Sequence, residues 1–212
     1  MTTSQSGGRK AEAARNDLTV LNAAREVFFE QGYDAPMSAI AERAGVGMGS
    51  LYRRYRSKEE LARCLCVLSM KGTNESAERA LAEESSGWSA LVRFMAESID
   101  RGVGMVAQFA GEFPVTPEMV ALSERGAAAM QAILDRATAE GSVRPDITAG
   151  DLVYLLQILR TNSAPTPTRV TTLRTRYLTL LLDGLRPHPT PTPLPGPAPT
   201  WPEISTRWTQ TP

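Results

Sequence analysis

Apolar side chains recur every three or four positions from Leu18 onward. Leu18, Leu21, Ala24, Val27 and Phe28 share one face until Gly32, which is the period of a helix that buries a single stripe. Pro36 opens a second, shorter stripe of Met37, Ile40, Ala41 and Ala44, closed by Gly45, so a helix over 37–44 is expected between a proline start and a glycine stop. After Gly45-Val46-Gly47, the segment Met48 to Tyr55 puts Leu51 and Tyr55 on one face, because residues four apart meet on a helix. Ser57-Lys58-Glu59-Glu60 has the spacing of a capping box and predicts the start of a long fourth helix.

The same period continues downstream. Trp88, Leu91, Val92, Met95 and Ile99 form one stripe, and Met119, Leu122, Met130, Ile133, Leu134 and Ala137 form another after Pro114 and Pro117. Thr148-Ala149-Gly150-Asp151 repeats the capping-box spacing ahead of Leu152, Val153, Leu155, Leu156, Ile158 and Leu159. Pro165 and Pro167 break that helix, and a last one is expected over 168–184 with Val170, Leu173, Tyr177, Leu178, Leu180, Leu181 and Leu182. No segment alternates with a period of two. The expected fold is all-α, with about nine helices.

Composition alters this picture at the two ends. Nine of the 15 prolines lie in residues 187–212, a composition that cannot hold a helix or pack a core and predicts a disordered, partly polyproline-II tail. Trp201 and Trp208 are unusual in such a tail and leave docking onto the body open. Residues 1–16, small and polar with Arg9, Lys10 and Arg15, read as a flexible basic arm. The polar Met1–Lys10 lacks the apolar stretch of a secretory signal, and no run of about 18 apolar residues is present, so a cytoplasmic protein without membrane contact is expected.

Candidate chemistry is sparse. The single histidine, His188, lies in the proline-rich tail, and no nucleophile or metal constellation accompanies it, so no catalytic residue, metal or cofactor is expected. Cys64 and Cys66 point to different sides of a helix, too few and too close for a disulfide framework. Charge is more informative. The chain carries 23 basic and 23 acidic residues, yet Arg43, Arg53, Arg54, Arg56 and Lys58 fall within 43–58 with no acidic residue among them. A local cationic patch sits on a neutral protein.

Two short helices joined by a glycine-bearing turn and followed by basic residues meet the needs of a helix-turn-helix. The string Ile40-Ala41-Glu42-Arg43-Ala44-Gly45-Val46-Gly47-Met48-Gly49-Ser50-Leu51-Tyr52-Arg53-Arg54-Tyr55-Arg56-Ser57-Lys58-Glu59-Glu60-Leu61 closely resembles the DNA-binding domain of the TetR family of transcriptional regulators. Phe28, Gly32 and Tyr33 match the usual end of that family's first helix. Two departures stand out: Ser50 replaces the usual threonine and keeps its hydroxyl, and Arg54-Tyr55 replaces His-Phe, keeping the aromatic plug and adding a charge.

The resemblance implies a three-helix DNA-binding domain over 17–60, followed by a ligand-binding and dimerisation domain over 61–186. In such a module Ala41, Ala44, Val46 and Leu51 are the buried pins. The exposed face remains for double-stranded DNA: Gly47, Met48 and Gly49 open the recognition helix, and Arg53 can take a guanine in bidentate fashion. Ser50, Tyr52 and Lys58 match phosphate-contacting positions, Ser38 matches a second-helix position near the duplex, and Arg54 joins the cationic set. The last two helices would form a homodimer interface through Leu173, Tyr177, Leu178, Leu180, Leu181 and Leu185. Trp88, Phe94, Met95, Met105, Phe109, Phe113, Met119, Met130 and Tyr154 are candidates to line a pocket for a small apolar or aromatic effector. The expected function is a ligand-responsive repressor on a palindromic operator. The alternative is a helical protein-interaction module that no longer binds DNA.

Overall fold

The computed structural model describes residues 4–101, 109–159 and 166–209, with backbone alone for 4–16, 167 and 207–209. The described residues form helices and turns without a strand. The helices are α1 (Ser4–Gln31), α2 (Met37–Ala44), α3 (Met48–Arg54), α4 (Lys58–Glu83), α5 (Gly87–Asp100), α6 (Pro117–Ala139), α7 (Ala149–Ile158), α8 (Pro167–Gly184) and α9 (Trp201–Thr209). They divide into two compact units, Met1–Cys66 and Val67–Pro212.

In the first unit α1 packs on α2, and α2 on α3. Val20, Ala24, Val27 and Phe28 of α1 meet a buried set that includes Ile40, Ala41, Leu51 and Leu61. Ala44 and Val46, expected among the pins, are only half-buried, because they flank the turn rather than face α1. Gly45 ends α2 with φ 66°, and its N–H donates to Glu42 at 3.1 Å while Val46 donates to Ala41 at 3.0 Å. That left-handed stop is open to glycine at no steric penalty. Helix α1 begins at Ser4, well before Asp17, where the apolar stripe was expected to begin. Ala11, Ala13 and Ala14 are strong helix formers, so the backbone continues as helix beyond the core-facing stripe.

In the second unit the cores of α5, α6, α7 and α8 are one cluster, with Leu91, Phe94, Met95, Met130, Ile133, Leu134, Leu152, Leu156, Leu178 and Leu182 buried together with Ala77 and Ala80 of α4. The caps follow the sequence. Ser86, Thr116, Thr148 and Thr166 each accept a first-turn N–H, and Thr148 and Asp151 complete a reciprocal box. Glu97 of α5 is a polar hub: it accepts from Ser76 Oγ at 2.5 Å, Arg93 Nε at 3.0 Å and Arg79 Nη2 at 3.3 Å. Those donors, Ser76 first and Arg93 next, hold its carboxyl down to about 2.

The expectation of a disordered tail over 187–212 is corrected for its described part, 187–209. Arg144 Nη2 donates to the Thr192 carbonyl at 2.9 Å, Trp201 Nε1 donates to Ser123 Oγ at 3.2 Å, and Ile204 of α9 is buried. The Pro199 carbonyl lies against Gly150, where a Cβ would have no room. Helix α9 has its own cap, as Thr200 N–H donates to Glu203 at 2.6 Å and Glu203 N–H to Thr200 Oγ1 at 3.4 Å. Pro202 falls in the first turn, where a missing N–H leaves no bond unmade. Trp208 and the basic side chains Arg9, Lys10 and Arg15 lie outside the described side chains.

Candidate nucleic-acid interface

The local sequence fixes α3. Gly47 takes an extended conformation, and its carbonyl accepts from Ser50 at 2.9 Å and Leu51 at 3.1 Å, which starts the helix. Leu51 is fully buried, and Tyr55 closes the helix with its ring 7% exposed. Burial pushes the Tyr55 phenol up to about 12, with Asp17 and Cys64 adding to the rise, so it stays neutral. With those two positions inward, the spacing of a helix turns Met48, Gly49, Tyr52 and Arg53 outward. Met48 is 39% and Tyr52 46% exposed, and Gly47, Gly49 and Arg53 are exposed with them. A Cβ at Gly47 or Gly49 would meet nothing within 4 Å. Packing therefore does not demand those glycines, and their effect is to leave backbone open to close approach. Ser38 is exposed in the first turn of α2, and Ser50 is half-buried.

The five cations of the 43–58 window have different surroundings. Arg43 is fastened to α1, with Nη1 3.0 Å from Glu26 and Nη2 2.7 Å from Glu30. Arg54 Nη1 lies 3.0 Å from Asp17 Oδ1 as an ion pair without the alignment of a hydrogen bond. Arg53 and Arg56 are exposed and form no ion pair among the described residues. Lys58 is half-buried with Nζ 4.7 Å from the centroid of the Tyr33 ring, and Tyr33 stacks on Phe28 at 5.9 Å. That ring is a support the sequence reading did not assign. Its signal was available, since Tyr33 follows the glycine that ends α1 and an aromatic face attracts an ammonium.

The described members of the expected pocket set have different surroundings. Phe94, Met95 and Met130 are packed into the core, and Phe109 and Phe113 are buried with ring centroids 6.5 Å apart. Large apolar side chains at helical spacing interdigitate to crystal-like density in such a core. Trp88 is half-buried under the Arg186 guanidinium at 3.9 Å, Tyr154 is half-buried, and Met105 lies outside the described residues. Met119 lines a cavity of about 140 Å³.

The expected dimer set is also divided. Leu178 and Leu185 are buried in the protomer's own core with Leu182, because positions i, i+4 and i+7 share the inward face of the last helix. Leu173 and Leu181 are half-buried, Tyr177 is 44% and Leu180 59% exposed, and Ile158 at the end of α7 is 74% exposed. No cluster of three potential metal ligands occurs among the described residues, and burial pushes the Cys66 thiol up, away from reactive thiolate.

Residues 20–64 match the family described as bacterial regulatory proteins, tetR family, and residues 86–187 match the SbtR-like transcriptional regulator C-terminal domain. The chain belongs to the TetR family. The TetR match runs from within α1 into α4, and so contains every residue from Ser38 to Lys58. The HTH-type transcriptional regulator UidR of Escherichia coli (strain K12) is 36% identical over 93 residues, 42% of this chain and 44% of that protein. The chain thus matches less than half the length of this curated relative. A TetR transcriptional regulator from Streptomyces coelicolor shares 29% identity at a TM-score of 0.57, over 81% of this chain and 98% of that one. A TetR transcription regulatory protein from Mycobacterium vanbaalenii shares 27% identity at a TM-score of 0.58, over 84% and 99%. Among the described residues of this TetR-family chain, no helix is long and apolar enough to cross a membrane.

Proposed function

We propose that the chain is a sequence-specific DNA-binding transcriptional regulator that works as a homodimer on a palindromic operator, and that it is a repressor released by a small apolar or aromatic effector. The observation that carries this reading is the exposed side of α3, where Met48, Tyr52 and Arg53 stand beside two glycines that the packing does not require. Arg53, with no ion pair to break, is the side chain free to take a guanine edge in the major groove. The hydroxyls of Tyr52, Ser50 and Ser38 and the ammonium of Lys58 suit phosphate oxygens, which fix register without reading sequence. Arg54 reaches a phosphate only by leaving Asp17, so its part is smaller than that of Arg56, which forms no ion pair among the described residues.

A single seven-residue helix covers few base pairs, which is why two copies are needed. The apolar side chains left outward on α7 and α8, Ile158, Tyr177 and Leu180, with Leu173 and Leu181 at their margin, support a two-fold contact there. An effector then works by differential affinity for two states of that dimer.

The test is in vitro selection of genomic DNA by the purified protein at defined salt, beside a Tyr52→Ala, Arg53→Ala variant. The Arg53 base contact is worth about 1–3 kcal/mol and the Tyr52 phosphate contact adds to it, so the double variant should lose roughly 100-fold in operator affinity while keeping its helical content. Recovery of a palindrome by the wild type alone supports the reading. Recovery of no site by the wild type overturns it in favour of a protein-interaction module, and equal recovery by both proteins overturns the part given to Tyr52 and Arg53.

A further inference from the structure

We propose that the cavity walled by α4, α6 and α9 binds a neutral or cationic single-ring aromatic compound of the size of phenol or aniline, and that the C-terminal tail is one of its walls. The cavity measures about 140 Å³. Apolar cavities of about 150 Å³ stay dry and hold one benzene ring. Met70 of α4, Met119 and Val120 of α6 and Trp201 of α9 supply the apolar surface. Methionine adapts its shape to a ring and makes favourable sulfur–aromatic contacts, and the Trp201 indole adds a stacking face.

Two polar groups narrow the class. Ser123 Oγ lines the cavity and accepts the Trp201 indole N–H at 3.2 Å. Its own proton remains to be donated, and a second lone pair remains to accept, which suits a phenolic oxygen or an anilinic nitrogen. The Glu124 carboxylate also lines the cavity and repels a ligand of its own charge, so benzoate and similar anions are disfavoured.

The tail closes this site. Trp201 is held by the Pro199 carbonyl against Gly150, by Arg144 on the Thr192 carbonyl and by the burial of Ile204. The proline-rich stretch before it is stiff, so little conformational freedom is lost when it docks. Docking of the tail and binding of the ring are therefore linked: whatever releases the tail opens the site, and a bound ring holds the tail in place. This gives an effector class to the regulator proposed above and rests on that reading only for its effect on DNA.

The 212-residue chain, labelled with ¹⁵N, has three tryptophans, and Trp201→Phe assigns the Trp201 indole signal. Phenol and aniline should shift that signal saturably and leave Trp88 in place, and benzoate should leave both in place. Val120→Phe fills the cavity from a half-exposed position and should raise the phenol dissociation constant at least tenfold. Gly150→Ala replaces no residue of the cavity lining and suits the helix better than glycine, yet displaces Pro199 and with it the Trp201 wall, and should weaken phenol binding by a similar factor. A non-saturating shift, equal shifts at Trp88, benzoate binding as well as phenol does, or wild-type affinity in both variants overturns the proposal. Binding is read without DNA. Saturable binding with unchanged operator affinity therefore keeps the site and overturns its effector role, while loss of the site with operator binding intact leaves the regulator reading standing.

Discussion

Helices α3 and α9 have 7 and 9 residues, and each buries one large aliphatic side chain, Leu51 in the first and Ile204 in the second. Their surroundings in the sequence are opposite. Helix α3 lies between two periodic segments and a capping box, so its inward and outward sides follow from nearest neighbours. Helix α9 follows 14 residues of proline-rich chain, and its anchor Trp201 finds Ser123 at a separation of 78 residues. Proline content reports that a segment forms no ladder or long helix. It says nothing of docking, because a polyproline-like backbone keeps every carbonyl free, and Thr192 and Pro199 use theirs on the body.

The strongest way to break this comparison is to empty both anchors. Leu51→Ala should remove about 2–5 kcal/mol from the first unit, as large-to-small changes at fully buried sites do, and lower its thermal midpoint by several degrees. Ile204→Ala should act locally: amides of α9 should lose hydrogen-exchange protection while the main unfolding transition stays in place. Unchanged protection in α9 would mean that Ile204 does not anchor the tail. A shift of the main transition would mean that the tail is part of the cooperative core.

What was legible in the sequence, and what was not, follows the same division. The stop at Gly45, the caps at Ser57 and Thr148 and the outward set of α3 are determined within a few residues, and the structure has them. The signal for α9 was also local, Thr200 with Glu203 three residues on, but the surrounding prolines masked it. Which of the pocket candidates border a void could not be read from the sequence, because a stripe of Phe and Met looks the same whether it lines a void or fills one; the partner helices decide, and among the described candidates Met119 borders a cavity. Arg43 and Arg54 belong to one cationic run, yet their carboxylates lie on α1, 13 to 37 residues away, and no window around them reveals the pairing.

A smaller effect sharpens the electrostatic side of the comparison. The Glu97 hub belongs to the second unit, and its folded carboxyl titrates at about 2, below the ordinary 4.5. A depressed folded value means that the ionised form is favoured by folding, so its contribution is present above pH 4.5 and is lost as the pH falls toward 2. Glu97→Gln should therefore lower the thermal midpoint at pH 7, and the gap to wild type should close between pH 4.5 and about pH 2. A gap that stays constant over that range would mean that the hydrogen bonds from Ser76 and Arg93 matter for their shape and not for the charge they stabilise.

The smallest expected effect is the most discriminating. Arg43 and Arg53 are both exposed arginines of one cationic run, ten positions apart. Arg43 already holds two carboxylates, and the hydrogen bonds it donates to Glu30 and Glu26 drive its pKa further up, so it adds no net field toward a phosphate. Arg53 has no ion pair among the described residues, and its removal should weaken operator binding by about 1–3 kcal/mol. Arg43→Ala should change that affinity less than twofold and leave the slope of affinity against salt where it was, because no counterion-releasing contact is lost. If instead Arg43→Ala flattens the slope by one phosphate contact, Arg43 exchanges Glu26 and Glu30 for DNA on binding. The exposed carboxylates of α1 would then be competitors for the cationic face, held in check only until the duplex arrives.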